Sequence, residues 1–360
     1  MARVVIAMSG GVDSSVAAAL LVKQGHEVIG MMMRLWGEPT SDVAFNRCCT
    51  PDALAQARRV AGQLGIPFYA IDAQSTFKKR IVDFFIDSYA AGLTPNPCLE
   101  CNRHIRWSFL LDQALDLGAD YLATGHYARV GGDAANGFQL LKAIDDRKDQ
   151  SYVLSVMGQA QLRHALFPLG ELTKPEVREL ARRFSLEVAD KQDSQDICFV
   201  PTGRYTDLIG RLRPNAMEPG DIVDLAGRVL GRHQGIAQFT VGQRKGLGIA
   251  SGSPLYVVRL DAEHRRVVVG PREALRMDRI VLRDVNWIGD GALDRMIGAG
   301  IEMFVRVRST RPPQPALLRA GKDGYEVELV AGEEGVSPGQ ACVFYAAEGS
   351  RVLGGGWITR

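Results

Sequence analysis

Six cysteines in 360 residues, unevenly spaced, are too few and too irregular for a disulfide framework. That excludes the small cross-linked secreted folds and leaves the thiols available for catalysis or metal binding. No apolar run is long enough to cross a bilayer, and the first short one leads straight into a glycine loop without the pattern of a signal peptide. These absences predict a cytoplasmic chain with no membrane partner. Internal repeats and low-complexity tracts are also missing, which removes the solenoid and linker classes. A net charge of +2 says little about partners. Locally, residues 201–275 hold eleven Lys or Arg against seven Asp or Glu. Arg204, Arg211, Arg213, Arg228, Arg232, Arg244 and Lys245 could face a polyanion such as RNA, although from charge alone a solvated basic surface is the better account. What remains is ordinary for a globular protein: 46% hydrophobic, 23% charged, and long enough for two or three domains.

The first sixteen residues carry most of the information. An apolar run from Arg3 to Met8 meets Ser9-Gly10-Gly11-Val12-Asp13-Ser14-Ser15, and a helical pattern follows from Val16 to Val22. Strand, glycine turn and helix N-terminus in that order make an anion cradle, because glycine admits positive φ and the first helical amides point outward with the helix dipole. A glycine turn of this kind also occurs in α/β proteins that bind nothing there. The lysine and hydroxyl that a Walker loop needs at fixed offsets are absent, since Lys23 lies two turns into the helix. SGGVDSS as a whole resembles the pyrophosphatase-type (PP) loop of enzymes that cleave ATP to AMP and pyrophosphate.

Strands are expected at Arg3–Met8, Glu27–Met33, Pro67–Asp72 and Asp120–Thr124, and helices at Ser14–Gln24, Pro51–Leu64, Phe77–Ala91 and Asn102–Leu117. The alternation predicts a parallel sheet covered on both faces, with ligands beyond the carboxyl ends of its strands. Thr50-Pro51 reads as a helix start and Gly65 as a stop. Met33 and Gly125-His126 should then lie near the glycine loop. From about Pro201 the texture changes to short β runs, at Gly220–Val223, Leu255–Leu260 and Arg266–Val269, then Ile301–Val307, Tyr325–Val330 and Ala341–Tyr345. The expectation is an α/β chain of three domains: 1–200 binding nucleotide, 201–278 small and β-rich, and 279–360 a β-barrel.

The thiols lie in two informative segments. Thr94-Pro95-Asn96-Pro97-Cys98-Leu99-Glu100-Cys101-Asn102 reads as a proline-fixed extended loop with a cysteine pair just before a helix, where the dipole favours thiolate. Asp190–Phe199 reads as a polar loop ending in Cys198. Cys48 and Cys49 read as loop thiols packing locally, though a redox pair is the alternative; Cys342, in a β run, reads as core. His104 needs no role beyond facing solvent. His126, at a strand end, is expected at the nucleotide face. Phe84, Phe85 and Tyr89 have the spacing of a helical core stripe.

SGGVDSS, TPNPCLECN, ATGHYAR (Ala123–Arg129), DRKDQSYVL (Asp146–Leu154), KQDSQDICFV (Lys191–Val200) and FTVGQRKGLGI (Phe239–Ile249) occur in this order. Together they resemble the tRNA 2-thiouridylase family of the PP-loop superfamily, over essentially the whole chain. The resemblance implies an adenine nucleotide alpha hydrolase-like domain, ATP and Mg²⁺, a tRNA with a wobble uridine, and a persulfide sulfur donor. It implies adenylation of the uridine C2 carbonyl oxygen followed by replacement with sulfur, carried as a persulfide on Cys198 and freed by Cys101 with closure of a Cys101–Cys198 disulfide. By the same resemblance Ala7, Met8, Ser9, Gly10, Gly11, Val12, Asp13, Ser14, Met33 and Gly125 hold ATP. Asn96, Pro97 and Cys98 line the target base, while His126, Lys148, Asp149, Gln150, Arg308, Ser309 and Gln340 contact the tRNA.

One position departs from the pattern: many members of the family have aspartate where this chain has Cys98, which leaves the acid/base role of that aspartate in doubt. Cys98, Cys101 and Cys198 make a ligand set for a four-iron four-sulfur cluster, so persulfide relay and cluster both stand, as do zinc and a spectator Cys98. Outside the family, an adenylating ligase with another acceptor would need no thiols, and a non-enzymatic RNA-binding or iron-sulfur carrier protein would release no pyrophosphate.

Overall fold

A computed structural model describes residues 1–40, 43–46, 49–191, 197–200, 204–322 and 324–359. The chain divides into two compact units. The first comprises residues 1–81, 98–202 and 350–353; the second comprises 82–97, 203–349 and 354–360.

At the centre of the first unit is β1 (Arg3–Ala7), a short run buried through Val4, Val5 and Ile6 as expected of a strand covered on both faces. It pairs in parallel with β2 (Glu27–Arg34) on one side and with Tyr121–Thr124 on the other, so that Ala7 stands between Met31 and Thr124. Phe68–Asp72 extends the sheet beyond β2, and Ala165–Leu166 extends it beyond Tyr121–Thr124. The four expected strands are present. The fifth, two residues long, is too short to carry a periodic signal. Because the strand order reverses direction around β1, its carboxyl end is the switch point at which open α/β sheets bind ligands.

Helix α1 (Val12–Lys23) lies almost wholly inside. Val16, Ala17, Ala18 and Leu21 join Val4, Ile6, Val28 and Met32 of the sheet and Ala57 and Val60 of α2 (Pro51–Gln63) in one core. As the sequence indicates, α2 opens on Thr50, whose Oγ1 accepts from the Ala53 amide at 3.1 Å, and closes at Gly65.

Two helices differ from expectation. The span expected at Phe77–Ala91 is composite: Gln74–Phe77, a π-helical stretch at Lys78–Val82, then Asp83–Ala90. The helix expected from Asn102 instead begins at Pro97, runs as a wide π-helix over Cys101–Leu110, and ends as an α-helix at Leu111–Asp116. Cys98 and Cys101 are therefore inside a helix rather than in an extended loop before it. Pro97 accounts for the difference, since a proline's fixed φ suits the first helical turn, where its missing N–H has no intrahelical partner to lose. An antiparallel hairpin, Ala128–Asp133 with Gly137–Lys142, was not foreseen; its Leu140 and Leu141 pair with Val352 and Arg351.

In the second unit, four strands run in the order Val229–His233, Gly220–Val223, Arg266–Gly270, Tyr256–Asp261. They enclose Ile222, Phe239, Leu247, Val257, Val267 and Val269. The following six strands, Arg276–Trp287, Ile301–Arg306, Gln314–Gly321, Gly324–Glu334, Ala341–Tyr345 and Arg351–Ile358, close into a barrel. Closure follows from Arg276–Trp287 pairing with both Gly324–Glu334 and the end of Arg351–Ile358, which leaves no free edge. Cys342 is completely buried there, and burial pushes its thiol pKa far up, as befits a core residue. Phe85 and Tyr89 stack edge-on at 4.9 Å and both meet Tyr205, which explains their helical spacing as packing.

Candidate active site

The glycine loop leaves β1 at the switch point. Gly10 has φ +67°, and a Cβ there would stand 2.5 Å from the Ala53 carbonyl oxygen of α2, so only glycine fits. Gly11 is the N-cap of α1 and supplies no side-chain cap, so no side chain shields the first amides of that helix. Ser14 ties the loop shut: its Oγ accepts from the Ser9 amide at 3.2 Å and lies 3.3 Å from the Ser9 hydroxyl. Gly125, at the end of Tyr121–Thr124, lies against the backbone of α1, where a Cβ would come within 2.8 Å of the Ser14 nitrogen. Ala7, Met8 and the half-buried Met33 flank the loop at the ends of β1 and β2, as expected from the motif's position.

Three residues join this loop without having been singled out in the sequence. Lys174 Nζ contacts both carboxylate oxygens of Asp13, at 2.7 and 2.9 Å, and the Tyr127 hydroxyl donates to the same carboxylate at 2.9 Å. Lys191 Nζ donates to the Gly10 carbonyl at 2.8 Å and to Gln56 at 2.7 Å. Lys174 sits 161 positions from its partner, and no local pattern could have revealed it. Lys191 and Tyr127 lie within motifs quoted above, KQDSQDICFV and ATGHYAR, so their segments were legible although their individual contacts were not.

The second cluster surrounds the thiol turn. Cys98 is exposed, Cys101 and Cys198 are half-buried, and none of the three is in a disulfide, so the Cys101–Cys198 bond implied by resemblance is not formed. Asn102 Nδ2 donates to the Cys98 carbonyl at 3.1 Å, and Arg106 Nη1 reaches Asn102 Oδ1 at 3.5 Å. The same Arg106 nitrogen is 3.1 Å from His126 Nε2, and His126 Nδ1 is 2.7 Å from Thr124 Oγ1. Arginine only donates, so Nε2 must accept, and the ring proton on Nδ1 is donated to Thr124. Burial and then the Arg106 charge hold the His126 pKa well below the usual histidine range, so the ring is neutral. His126 is thus buried beneath the strand end. His104, assigned above to solvent, instead pairs with the buried Glu100 at 3.1 Å. Cys198 precedes the buried Phe199, which meets Phe77 edge-on at 5.8 Å.

Among the described residues, no group of three or more His, Cys, Asp or Glu is placed to hold a metal ion. The iron-sulfur and zinc alternatives for Cys98, Cys101 and Cys198 thus find no support among the described residues. Cys49 lies against Leu35, its Sγ accepting from the amide at 3.3 Å, which is local packing; Cys48 lies outside the described residues, as does 192–196 of the KQDSQDICFV motif.

The residues assigned to tRNA have clear structural partners. Asp149 accepts from Ala143 N and Ser151 N, both at 3.2 Å, and Gln150 exchanges 2.9 Å bonds with the backbone of Tyr127. Lys148 is half-buried in the same turn. In the second unit, Arg308 donates to the carbonyls of Val241 and Gly335, tying the four-stranded sheet to the barrel, and Ser309 is exposed beside it. Gln340 donates to the Thr94 carbonyl at 2.8 Å and so braces the loop that leads to the half-buried Asn96 and the buried Pro97. The seven basic residues picked out by charge are all exposed. Three of them already face aspartates, Arg213 with Asp87, Arg228 with Asp224 and Arg232 with Asp221. Among the described residues, no helix is long and apolar enough to cross a membrane.

Three family models match: a tRNA methyl transferase HUP domain over residues 2–202, a tRNA methyl transferase PRC-barrel domain over 207–271, and an aminomethyltransferase beta-barrel domain over 277–358. The tRNA-specific 2-thiouridylase MnmA of Rhodopseudomonas palustris (strain HaA2) is 63% identical over 99% of this chain and 90% of its own length. That of Nitrobacter winogradskyi is 62% identical, with the same coverage. A solved 4-thiouridine synthetase–RNA complex with bound ATP shares 18% identity over 59% of this chain and 51% of its own, at a TM-score of 0.34, too slight a likeness to bear on function. The order of the motifs, the loop at the switch point and the identity to these relatives lead to one conclusion: the chain belongs to the tRNA-specific 2-thiouridylase family.

Proposed function

We propose that this protein is an ATP-dependent tRNA sulfurtransferase that converts a wobble uridine to 2-thiouridine. The observation that carries this reading is the 63% identity to a 2-thiouridylase over 99% of the chain. Cys98, Cys101 and Cys198, none of them in a disulfide, support it, together with a loop in which Gly10 has no room for a side chain. Methyl transfer, which two of the family descriptions mention, would call for neither a pyrophosphate-binding loop nor a thiol pair.

In the reaction, Ala7–Ser14, Met33 and Gly125 would hold ATP with its Mg²⁺. The uridine O2 attacks the α-phosphorus, the bond to pyrophosphate breaks, and C2 gains AMP as its leaving group. Amides at the α1 N-terminus stabilise the negative charge that develops on the phosphates. Cys198 holds the donor's sulfur as a persulfide. Cys101 thiolate attacks the inner sulfur of Cys198, forming the Cys101–Cys198 disulfide and releasing hydrosulfide, which adds to C2 and expels AMP. A dithiol then reduces the disulfide. Asn96, Pro97 and Cys98 line the base, which is swung out of the anticodon loop to reach them. Lys148, Asp149, Gln150, Arg308, Ser309, Gln340 and, beneath the strand end, His126 shape the tRNA surface. We assign nucleotide chemistry to 1–200, tRNA contacts to 201–278 and the barrel to 279–360, and place the protein in the cytoplasm with a persulfide donor as partner.

The test is 2-thiouridine formation, measured by mass spectrometry, from chelator-treated protein with ATP, Mg²⁺, unmodified tRNA and a persulfide. Wild type and Cys98→Ser should both give product, whereas Cys101→Ser and Cys198→Ser should release pyrophosphate and give none. Product that appears only after iron and sulfide are restored would overturn the persulfide route.

A further inference from the structure

Residues 124–126 touch both halves of the chemistry. Gly125 abuts the first turn of α1, where a side chain would strike the Ser14 nitrogen. On either side of it, Thr124 and His126 start a line of hydrogen bonds leading the other way: Thr124 Oγ1 to His126 Nδ1 at 2.7 Å, His126 Nε2 to Arg106 at 3.1 Å, Arg106 to Asn102 at 3.5 Å, and Asn102 to the Cys98 carbonyl at 3.1 Å. The π-helical winding of Cys101–Leu110 is part of the arrangement, because Asn102 and Arg106, four apart, lie side by side along a widened turn. His126 and Trp107 both meet the Phe167 ring edge-on, at 6.2 and 5.5 Å, which walls the line with apolar surface.

We propose that Arg106 and Asn102 are positioning residues that hold the Cys98–Cys101 turn in register with the nucleotide loop, so that sulfur arrives where the adenylated carbon stands. The role rests on the sulfurtransferase reading above. A guanidinium between a ring nitrogen and an amide oxygen fixes both in angle as well as distance, because its N–H groups are coplanar. Asn102 passes that constraint to the backbone of Cys98, three residues before the nucleophile. A neutral His126 is the acceptor this line requires, and its buried position keeps it so.

The experiment separates adenylation from sulfur delivery. Full-length wild type, Arg106→Ala, Arg106→Lys and Asn102→Ala are each given unmodified tRNA, ATP, Mg²⁺ and glutathione persulfide. Single-turnover pyrophosphate release and 2-thiouridine yield are then followed separately. Misplaced reacting groups cost about 10- to 100-fold in rate, so thiolation should fall by that factor in both alanine variants while pyrophosphate release stays within about twofold of wild type. Arg106→Lys keeps a donor but not the planar fork and should fall between. Unchanged thiolation overturns the proposal, and so does a parallel loss of both steps, which would assign these residues to binding or folding. Should Arg106→Ala fail to fold, Asn102→Ala, which removes only the last tether, decides. A wild type that releases pyrophosphate but forms no 2-thiouridine would refute the sulfurtransferase reading itself and, with it, this role.

Discussion

Gly10 concentrates the constraints on the nucleotide loop into one residue. Its positive φ alone costs an L-residue about 1–2 kcal/mol, and the Ala53 carbonyl behind it leaves no space for a methyl group. Gly10→Ala must therefore displace either the loop or the start of α2. ATP affinity should fall at least about tenfold, equivalent to 1.4 kcal/mol, as read by calorimetric titration. Wild-type affinity in that variant would mean that phosphate does not bind against this backbone. Gly10 was identifiable from sequence because it belongs to SGGVDSS, a whole motif set directly between a strand and a helix, and not because of the glycine pair alone. Lys174 was not, because its relation to Asp13 exists only once two helices distant in sequence pack together.

Individual elements were legible where their signals were local. Thr50, Pro51 and Gly65 bracket α2 because capping and termination depend on residues within one turn. Thr50→Ala removes the acceptor for the Ala53 amide and should lower stability by about 1 kcal/mol, as measured by chemical denaturation. ATP affinity should fall less than in Gly10→Ala, since the Ala53 carbonyl stays in place. An unchanged unfolding midpoint would show that the cap contributes nothing. The start of the thiol helix was misjudged because Pro95 and Pro97 both read as extended-chain signals. Pro97 is equally suited to a first helical turn, and packing of Leu99 and Ile105, both fully buried, settles which applies. The π-helical winding has no sequence signature at all. It is a property of how Cys101–Leu110 packs.

At the scale of the whole molecule, the near-zero net charge conceals an uneven distribution, with the exposed arginines of residues 204–232 on the second unit. Several already face carboxylates, so that RNA would compete with existing pairs of little individual strength. Affinity for unmodified tRNA should still fall about tenfold or more between about 50 and 200 mM salt, because even a few phosphate contacts release counterions. Filter binding across that range checks it, and a flat response would remove the electrostatic contribution. The parallel sheet and the barrel were both legible as classes, since alternating strand and helix patterns differ from runs of short strands with turn signals. The pairing of Arg351 and Val352 with the hairpin strand Gly137–Lys142 was not, because it joins segments about two hundred residues apart.

Short-range pattern was enough to establish the nucleotide loop, the identity of the three thiols, the order of the sheet and barrel segments, and the family. Each rests on short-range patterns, in which glycine, proline or cysteine at fixed spacing has a definite physical meaning. It took the folded chain to show that Lys174 and Tyr127 hold Asp13, that His126 is a buried neutral acceptor, and that Arg106 and Asn102 connect the strand end to the thiol turn. These contacts depend on desolvation and on distances between elements that are far apart in sequence. Both quantities come into being only when the core closes.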